Sequence, residues 1–230
     1  MNQIVTKGIV LTRTNYGEAD RILTLLTPDY GKLRLMAKGV RKSKSKLAGG
    51  IELFSISDIT FIRGRGEVGT LVSSRLKAHY SDIVKDIDRT MLAYELIKQL
   101  NRATEDECEP EYFDLMELAL AALDDLDISS DLVQLWFSAQ LLKRGGHTPD
   151  LQTDKAGSKL DADKNYTFSF DDMAFSEGPA SRFTAQHIKL LRLLFSSHTV
   201  QAINKVQGVT ELLKDITPLI QTMRTTYIRV

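Results

Sequence analysis

Two β-strands and the turn between them are encoded in RILTLLTPDYGKLRLMAK, residues 21–38. Ile, Leu and Thr dominate the first run, Asp29-Tyr30-Gly31 has turn composition, and strand composition resumes at Leu33. In the second run apolar residues alternate with polar ones, so period-two geometry places the cations Lys32, Arg34 and Lys38 on one face. The apolar set is predicted to face a core.

Three further segments have strand composition, and turn residues separate all of them. The predicted strands are residues 7–12, 21–27, 33–38, 51–62 and 70–74. Five strands within 80 residues indicate a small closed barrel.

The segment that follows the third strand is the most basic in the chain. It is KGVRKSKSKLAGG, residues 38–50, here called the basic loop, and it has five cations in its first nine residues with no acid among them. Such a loop repels itself, so it is stable when it is solvated or when it faces a polyanion, and its Gly and Ser residues allow close backbone approach. A nucleic-acid backbone is the favoured partner, and a solvated surface loop is the alternative. The predicted contact residues here and on the preceding strand are Lys32, Arg34, Lys38, Arg41, Lys42, Lys44 and Lys46, with Arg63 and Arg65 of the later Arg63-Gly64-Arg65-Gly66 turn as additional phosphate contacts.

The charge of the chain is unevenly distributed although the formal net charge is zero. Residues 1–80 carry 14 Lys and Arg against 6 Asp and Glu, which leaves 16 against 24 for residues 81–230. Residues 81–135 are the most acidic, with 15 acids against 4 bases. A basic module joined to an acidic one points to a nucleic-acid or other charged partner.

The hydrophobic period becomes helical after residue 80, so we expect two domains, residues 1–80 and 81–230. Apolar stripes predict helical cores, and a polar, turn-rich stretch at about 151–178 predicts a hairpin-like insertion. Pro218 should start, kink or end a helical segment. The stripes comprise Met91, Tyr94, Ile97 and Leu100, then Phe113, Met116, Leu120 and Leu123, then Leu132, Leu135, Trp136, Ala139 and Leu142.

Motifs for catalysis are absent from the sequence. Gly64 to Gly69 fits GxGxxG, but strand character resumes after it where a dinucleotide site needs a helix. The histidines His79, His147, His187 and His198 lack metal-ligand spacing, and His187 and His198 are read as surface or boundary residues. Cys108 lies among acids that raise a thiol pKa, so we read it as an unreactive surface residue. We expect no enzyme activity, no cofactor and no metal.

No apolar run approaches a membrane span, and the N-terminus lacks a signal-peptide core. We therefore expect a cytoplasmic, nucleoid-associated protein.

Several N-terminal motifs occur in an order and spacing that resemble the bacterial recombination-mediator family RecO. They cover most of residues 7–66, and the helical part matches more weakly, in Leu135-Trp136-Phe137 through Gly146 and in Pro149-Asp150-Leu151. The N-terminal motifs are KGIVL (7–11), NYGEADRILTLLT (15–27), GKLR (31–34), AKGVRK (37–42) and SKLAGG (45–50).

The resemblance implies an α+β protein with an N-terminal five-stranded oligonucleotide-binding (OB) barrel and a helical domain. It implies binding of single- and double-stranded DNA, annealing of complementary strands, and work with RecR, single-stranded-DNA-binding protein and, indirectly, RecA. It implies no cofactor-dependent chemistry.

Two features of the family bear on the helical domain. Many relatives have a four-cysteine zinc site after the Pro-Asp-Leu segment, and the best-matching positions here are Asp154, Gly157, Phe175 and Gly178, none of which supplies a thiolate. The insertion should then be held by packing, with Tyr166, Phe168, Phe170 and Phe175 as candidates. In the family the acidic tail of single-stranded-DNA-binding protein docks on the helical domain, and Lys143 and Arg144 are the candidates by charge.

A non-enzymatic DNA-repair mediator is the preferred interpretation. An RNA-binding adaptor of translation or ribosome assembly is the alternative, because a basic barrel does not distinguish DNA from RNA by composition. A scaffold whose basic loop binds acidic protein tails is a third possibility.

Overall fold

The computed structural model describes residues 2–64, 66–179 and 181–228. The chain divides into two compact units, the first ending at Leu126 and the second beginning at Asp127. The division at residue 80, which rests on composition and period, stays a prediction.

The five predicted strands are present and close into a barrel, which confirms the barrel prediction. The strand order is β1-β2-β3-β5-β4, with β3 and β5 parallel and the other neighbours antiparallel. This is a five-stranded OB-fold. The strands are β1 (Ile4–Tyr16), β2 (Asp20–Thr27), β3 (Gly31–Ala37), β4 (Ser55–Ile62) and β5 (Val68–His79).

The barrel interior is filled by the apolar residues that alternate along the strands. In β3, Leu35 and Ala37 are buried while Arg34 is exposed, as the alternation predicts. Phe61 and Tyr30 meet edge to face with ring centroids 5.9 Å apart. The other core side chains include Val10, Leu23, Leu25, Ile59 and Leu71.

Two helices complete the first unit: α1 (Ile87–Ala103) and α2 (Glu111–Asp124). The Asp86 carboxylate caps α1 by accepting from the backbone N–H groups of Asp88 and Arg89. The buried Arg89 guanidinium donates to the carbonyl oxygens of Leu123 (2.6 Å) and Asp125 (3.0 Å), so one helix closes the end of the other.

The apolar stripe predicted for α1 is buried only in part. Ile97 and Leu100 are buried, but Met91 is 63% exposed and Tyr94 is 47% exposed. The described elements therefore leave the Met91 and Tyr94 end of this stripe largely open to solvent. The stripe predicted for α2 is fully buried.

The second unit is built around α3 (Ser130–Arg144), whose predicted stripe is buried. Helix α3 packs against α4 (Ala185–Leu194), α5 (Val200–Asn204) and α6 (Val209–Tyr227). The Trp136 indole donates to the His198 carbonyl oxygen over 3.1 Å. Pro218 neither starts nor ends a helical segment, since α6 continues through this residue, and a kink there stays a prediction. Proline lacks the N–H that would bond to the carbonyl one turn back, so one helical hydrogen bond is lost. The other hydrogen bonds and the buried apolar face of this long helix keep it continuous.

The insertion contains a short hairpin, β6 (Thr167–Ser169) and β7 (Ala174–Ser176), as predicted. Phe175 is fully buried at its centre, with edge-to-face contacts to Tyr166, Phe168 and Phe183 at centroid distances of 6.5, 5.1 and 5.7 Å. Phe170 contributes less, because it is 37% exposed. Aromatic packing therefore forms the core of this segment.

Candidate nucleic-acid interface

The basic loop presents its cations to solvent. Within the described residues no carboxylate oxygen lies within 4.0 Å of their charged nitrogens. The five exposed cations are Lys38, Arg41, Lys42, Lys44 and Lys46. Five unneutralised charges on a short segment form a local positive field that suits a polyanion.

Apolar residues of the basic loop pack into the barrel core and fix the loop to the barrel. Val40 is 4% exposed and Ile51 is 1% exposed, and both belong to the barrel core, with Leu47 packed against them. The cations of the loop lie between Lys38 and Lys46, and these anchors lie within and just after that stretch. The loop backbone is therefore held on the barrel, which lowers the backbone entropy lost when a ligand binds.

Hydrogen bonds join one end of the basic loop to the turn between β1 and β2. The Arg41 N–H donates to the Ala19 carbonyl oxygen (2.9 Å), and the Gly39 N–H donates to Asp20 Oδ1 (2.6 Å). The Arg41 guanidinium also donates to the Gly17 carbonyl oxygen over 3.4 Å. The tip of the β1–β2 hairpin and the start of the basic loop thus form one surface.

The other end of the basic loop is fixed on β5. Ser74 Oγ donates to the Leu47 carbonyl oxygen over 2.9 Å. Gly50 lies against the same serine, and a Cβ atom at this position would be 2.5 Å from Ser74 Cβ. Only glycine allows this approach. Arg75, exposed and next in the chain, is a cation that the sequence reading did not single out.

Lys32, one of the predicted contact residues, is bonded to the end of α1. Its Nζ donates to the carbonyl oxygens of Asn101 (2.6 Å) and Thr104 (2.7 Å), at the C-terminal end of α1. Burial lowers the pKa of Lys32, against the opposing influence of Cys108 and nearby acids. Its ammonium is committed to helix carbonyls, where positive charge complements the helix dipole.

Two predicted arginines lie at a separate place on the barrel. Arg34 Nη1 is 3.6 Å from Glu67 Oε2, with both side chains largely exposed, which makes a weak ion pair. Arg63 lies over the Tyr30 ring, 5.3 Å from its centroid. Both line a cavity of about 360 Å³ that none of the loop cations lines. Arg65 lies outside the described residues.

Lys143 and Arg144 occupy the last turn of α3, in the second unit. Lys143 is exposed, whereas the Arg144 guanidinium donates to the carbonyl oxygen (3.2 Å) and the side-chain Oε1 (2.9 Å) of Gln140. Arg144 therefore bonds one turn back on its own helix, and Lys143 extends into solvent.

His187 and Cys108, which the sequence raised as possible reactive residues, are buried and half-buried. His187 is 7% exposed rather than a surface residue, because its Nδ1 lies 3.1 Å from the Thr184 backbone nitrogen and completes the N-terminal cap of α4. Cys108 is half-buried, and burial is the main influence that raises its pKa. A raised thiol pKa opposes nucleophilic use of Cys108.

The four positions that match the family's zinc cysteines do not fit a metal. Asp154 Oδ1 accepts from the backbone N–H groups of Ala156 (2.9 Å) and Ser158 (2.8 Å), and Phe175 is in the aromatic core. Gly157 and Gly178 have no ligand atom in a side chain. Over the residues that the structure describes, no group of three or more His, Cys, Asp or Glu side chains is arranged to hold a metal ion. In the same residues no helix has the length and apolar character of a membrane span.

Comparison with known proteins agrees with the barrel and the helical part together. The family profile described as "Recombination protein O N terminal" matches residues 1–80, and "Recombination protein O C terminal" matches residues 84–229.

Three curated relatives, each called "DNA repair protein RecO", illustrate the similarity. The Dehalococcoides mccartyi protein is 34% identical over 165 residues, which is 70% of this chain and 64% of the relative. The Halalkalibacterium halodurans protein is 28% identical over 197 residues, 82% of this chain and 76% of the relative. The Listeria welshimeri protein is 36% identical over 125 residues, 54% and 48% of the two chains. The match to the first of these spans less than two thirds of that relative's length. The two family profiles together span nearly all of the present sequence. The chain therefore belongs to the RecO family.

Proposed function

We propose that this chain binds DNA through the basic loop and acts in recombinational DNA repair without catalysing a reaction. The observation that carries the proposal is the set of five exposed cations held on the barrel by buried anchors, with no carboxylate close to them among the described residues. Phosphate contact with such a set supplies affinity for any sequence. The relatives called DNA repair proteins support the biological setting.

The proposed contact set differs from the one read from the sequence. Lys38, Arg41, Lys42, Lys44 and Lys46 form this set. Arg34 and Arg63, at their separate cavity, are secondary contacts. Lys32 is removed, because its ammonium is bound by α1 carbonyls.

The finer proposal is a recombination mediator located in the cytoplasm at the nucleoid. It binds single and double strands, anneals complementary strands, and helps RecR to place RecA on DNA coated by single-stranded-DNA-binding protein. The barrel contacts DNA, and the helical domain contacts protein partners. The acidic residues 81–135 support this division, because they repel a phosphate backbone.

The salt dependence of binding tests the central claim. If the five loop cations each neutralise a phosphate of a single strand, log K should fall against log salt with a slope of about −3.5. Replacing Arg41, Lys42 and Lys44 by Ala should flatten the slope by about 2 and weaken all sequences alike. A matched triple variant in the second unit, Lys159, Lys189 and Lys205 to Ala, removes the same charge from exposed positions and should leave the slope unchanged.

Three outcomes oppose the proposal. An unchanged slope in the loop variant means that the loop is only solvated. Binding of an RNA strand much more tightly than a DNA strand of the same sequence favours the RNA adaptor. Little nucleic-acid affinity at moderate salt, with tight binding of an acidic peptide, favours the scaffold.

A further inference from the structure

We propose that Tyr16 stacks on a base of a single strand bound along the basic loop, and that this contact makes the site prefer single strands to duplex. The inference rests on the proposed function, because it assigns the base contact of the same site. Tyr16 is not among the contact residues predicted from the sequence.

Strand register places the Tyr16 side chain on the side of the basic loop. Tyr16 is the last residue of β1, and its direct partner across the hairpin is Asp20, the first residue of β2. Directly opposed residues on antiparallel strands project from the same face, with Cβ atoms roughly 4.5–5.5 Å apart. The Asp20 carboxylate extends from this face to the Gly39 N–H, 2.6 Å away. The Tyr16 ring therefore leaves the hairpin on the face to which the loop is bonded.

The ring has the exposure that a stacking contact needs. Tyr16 is 56% exposed, and among the described residues its ring has no aromatic, cationic or hydrogen-bonding partner. In the described part of the chain two other aromatic residues are considerably exposed, and each has a ring neighbour: Tyr94 meets Phe54 at 5.0 Å, and Phe170 meets Phe168 at 5.2 Å. An aromatic face without a partner at a basic surface is suited to a nucleobase.

A proposed phosphate-binding side chain, Arg41, reaches the tip of the hairpin that carries Tyr16. The Arg41 guanidinium is held at the Gly17 carbonyl oxygen, one residue beyond Tyr16 in the chain. A backbone phosphate at Arg41 would therefore bring the adjacent base to the hairpin tip. These hydrogen bonds hold the start of the basic loop against the hairpin that carries Tyr16, so binding does not have to bring the two segments together.

The ring distinguishes between the two forms of DNA because they differ in what they expose. Phosphates are available on both single strands and duplexes, so the loop cations serve either form. Base faces are covered by neighbouring bases within a duplex and become available in a flexible single strand. A stacking residue should therefore add affinity for single strands alone.

The test compares Tyr16→Ala and Tyr16→Phe in the full chain. Three probes are used: a single strand, the duplex of the same sequence, and a single strand in which abasic sugars replace the bases. Tyr16→Ala should lose about tenfold in single-strand affinity and less than about twofold on the duplex and the abasic strand. Its salt slope should equal that of the unmodified chain, because no charge has changed. Tyr16→Phe should retain the affinity, since stacking uses the ring and not the hydroxyl.

Phe170→Ala is the matched control, since it removes an exposed aromatic ring from the second unit and should change none of the three affinities. The inference is overturned if Tyr16→Ala leaves single-strand affinity unchanged, if it weakens single strand and duplex equally, or if Tyr16→Phe is as defective as Ala. These failures are separable from failure of the proposed function. If the proposed function fails, the triple loop variant keeps the salt slope of the unmodified chain. If that slope flattens and Tyr16→Ala binds single strands normally, the phosphate site is retained and only the stacking contact is ruled out.

Discussion

The Lys32 ammonium nitrogen lies 2.6 Å from the Asn101 carbonyl oxygen, which joins the barrel strand β3 to the last turn of α1. A backbone hydrogen bond joins the same two regions, since the Lys32 N–H donates to the Asp106 carbonyl oxygen over 2.8 Å. Gly31 has a φ of +59°, and a Cβ atom there would be 2.4 Å from that carbonyl oxygen. The barrel and the chain after α1 are therefore closely fitted at this point.

We expect Lys32→Ala to affect stability rather than DNA binding. Removing the ammonium leaves two helix-end carbonyl oxygens without their donor and should lower the free energy of unfolding by about 1–2 kcal/mol. Urea unfolding measures this loss, and the slope of log K against log salt should not change. Lys42→Ala is the contrasting variant, with unchanged stability and a slope that flattens by about 0.7. If Lys32→Ala instead flattens the slope and leaves stability intact, Lys32 contacts phosphate.

We expect charge reversal at the end of α3 to affect a protein partner. Changing both Lys143 and Arg144 to Glu should weaken binding of an acidic tail peptide of single-stranded-DNA-binding protein by about tenfold or more, because like charges then face each other. DNA affinity should remain close to that of the unmodified chain. A double reversal of Lys189 and Lys205 to Glu, in the same unit, is the control for general charge effects. Tail affinity that survives the first change and falls with the second would place the docking site elsewhere.

We expect the protein to fold without zinc. A structural zinc contributes to the free energy of folding, so chelation destabilises a protein that contains one. Here the corresponding positions have an aspartate bonded to backbone N–H groups and a phenylalanine in an aromatic core. Metal analysis of purified chain should find no stoichiometric zinc, and a chelator should leave Tm unchanged. One tightly held zinc per chain would contradict this prediction.

We expect part of the stability of the insertion to be lost in acid. The Thr153 hydroxyl and the backbone N–H groups of Thr153 and Gln152 donate to the Asp150 carboxylate and lower its pKa below the ordinary 3.8. Because the pKa is lower in the folded than in the unfolded chain, the stabilisation is complete well above pH 3.8 and is lost as pH falls through the lowered value.

The measurement compares Asp150→Asn with the unmodified chain at two pH values. The variant should be less stable at pH 7, and the difference should shrink at a pH of about 3. A difference for Asp150→Asn that does not change with pH would mean that its ionised form has no special role in the turn.

The sequence by itself determined the features that depend on local pattern. Strand composition and turn residues predicted the barrel strands, and period-two alternation predicted the buried face of β3. Helical period predicted the stripes of α2 and α3, and a polar, turn-rich stretch predicted the insertion. The composition of residues 38–50 indicated an exposed basic loop, and five of its cations are exposed. Each of these follows from residues within one element, because side-chain direction repeats with the backbone period.

Tertiary structure alone decided what covers each face. Lys32 and Arg34 share a strand face, yet Lys32 reaches α1 carbonyls 69 and 72 residues away, and Arg34 remains half exposed. Met91 belongs to an apolar stripe and is exposed, whereas His187 was read as a surface or boundary residue and is 7% exposed. The side on which Tyr16 emerges depends on its register with Asp20 and on the bond from Asp20 to Gly39. The periodicity of a strand or helix determines which residues share a face, but contacts between residues distant in the chain determine whether this face meets protein or solvent.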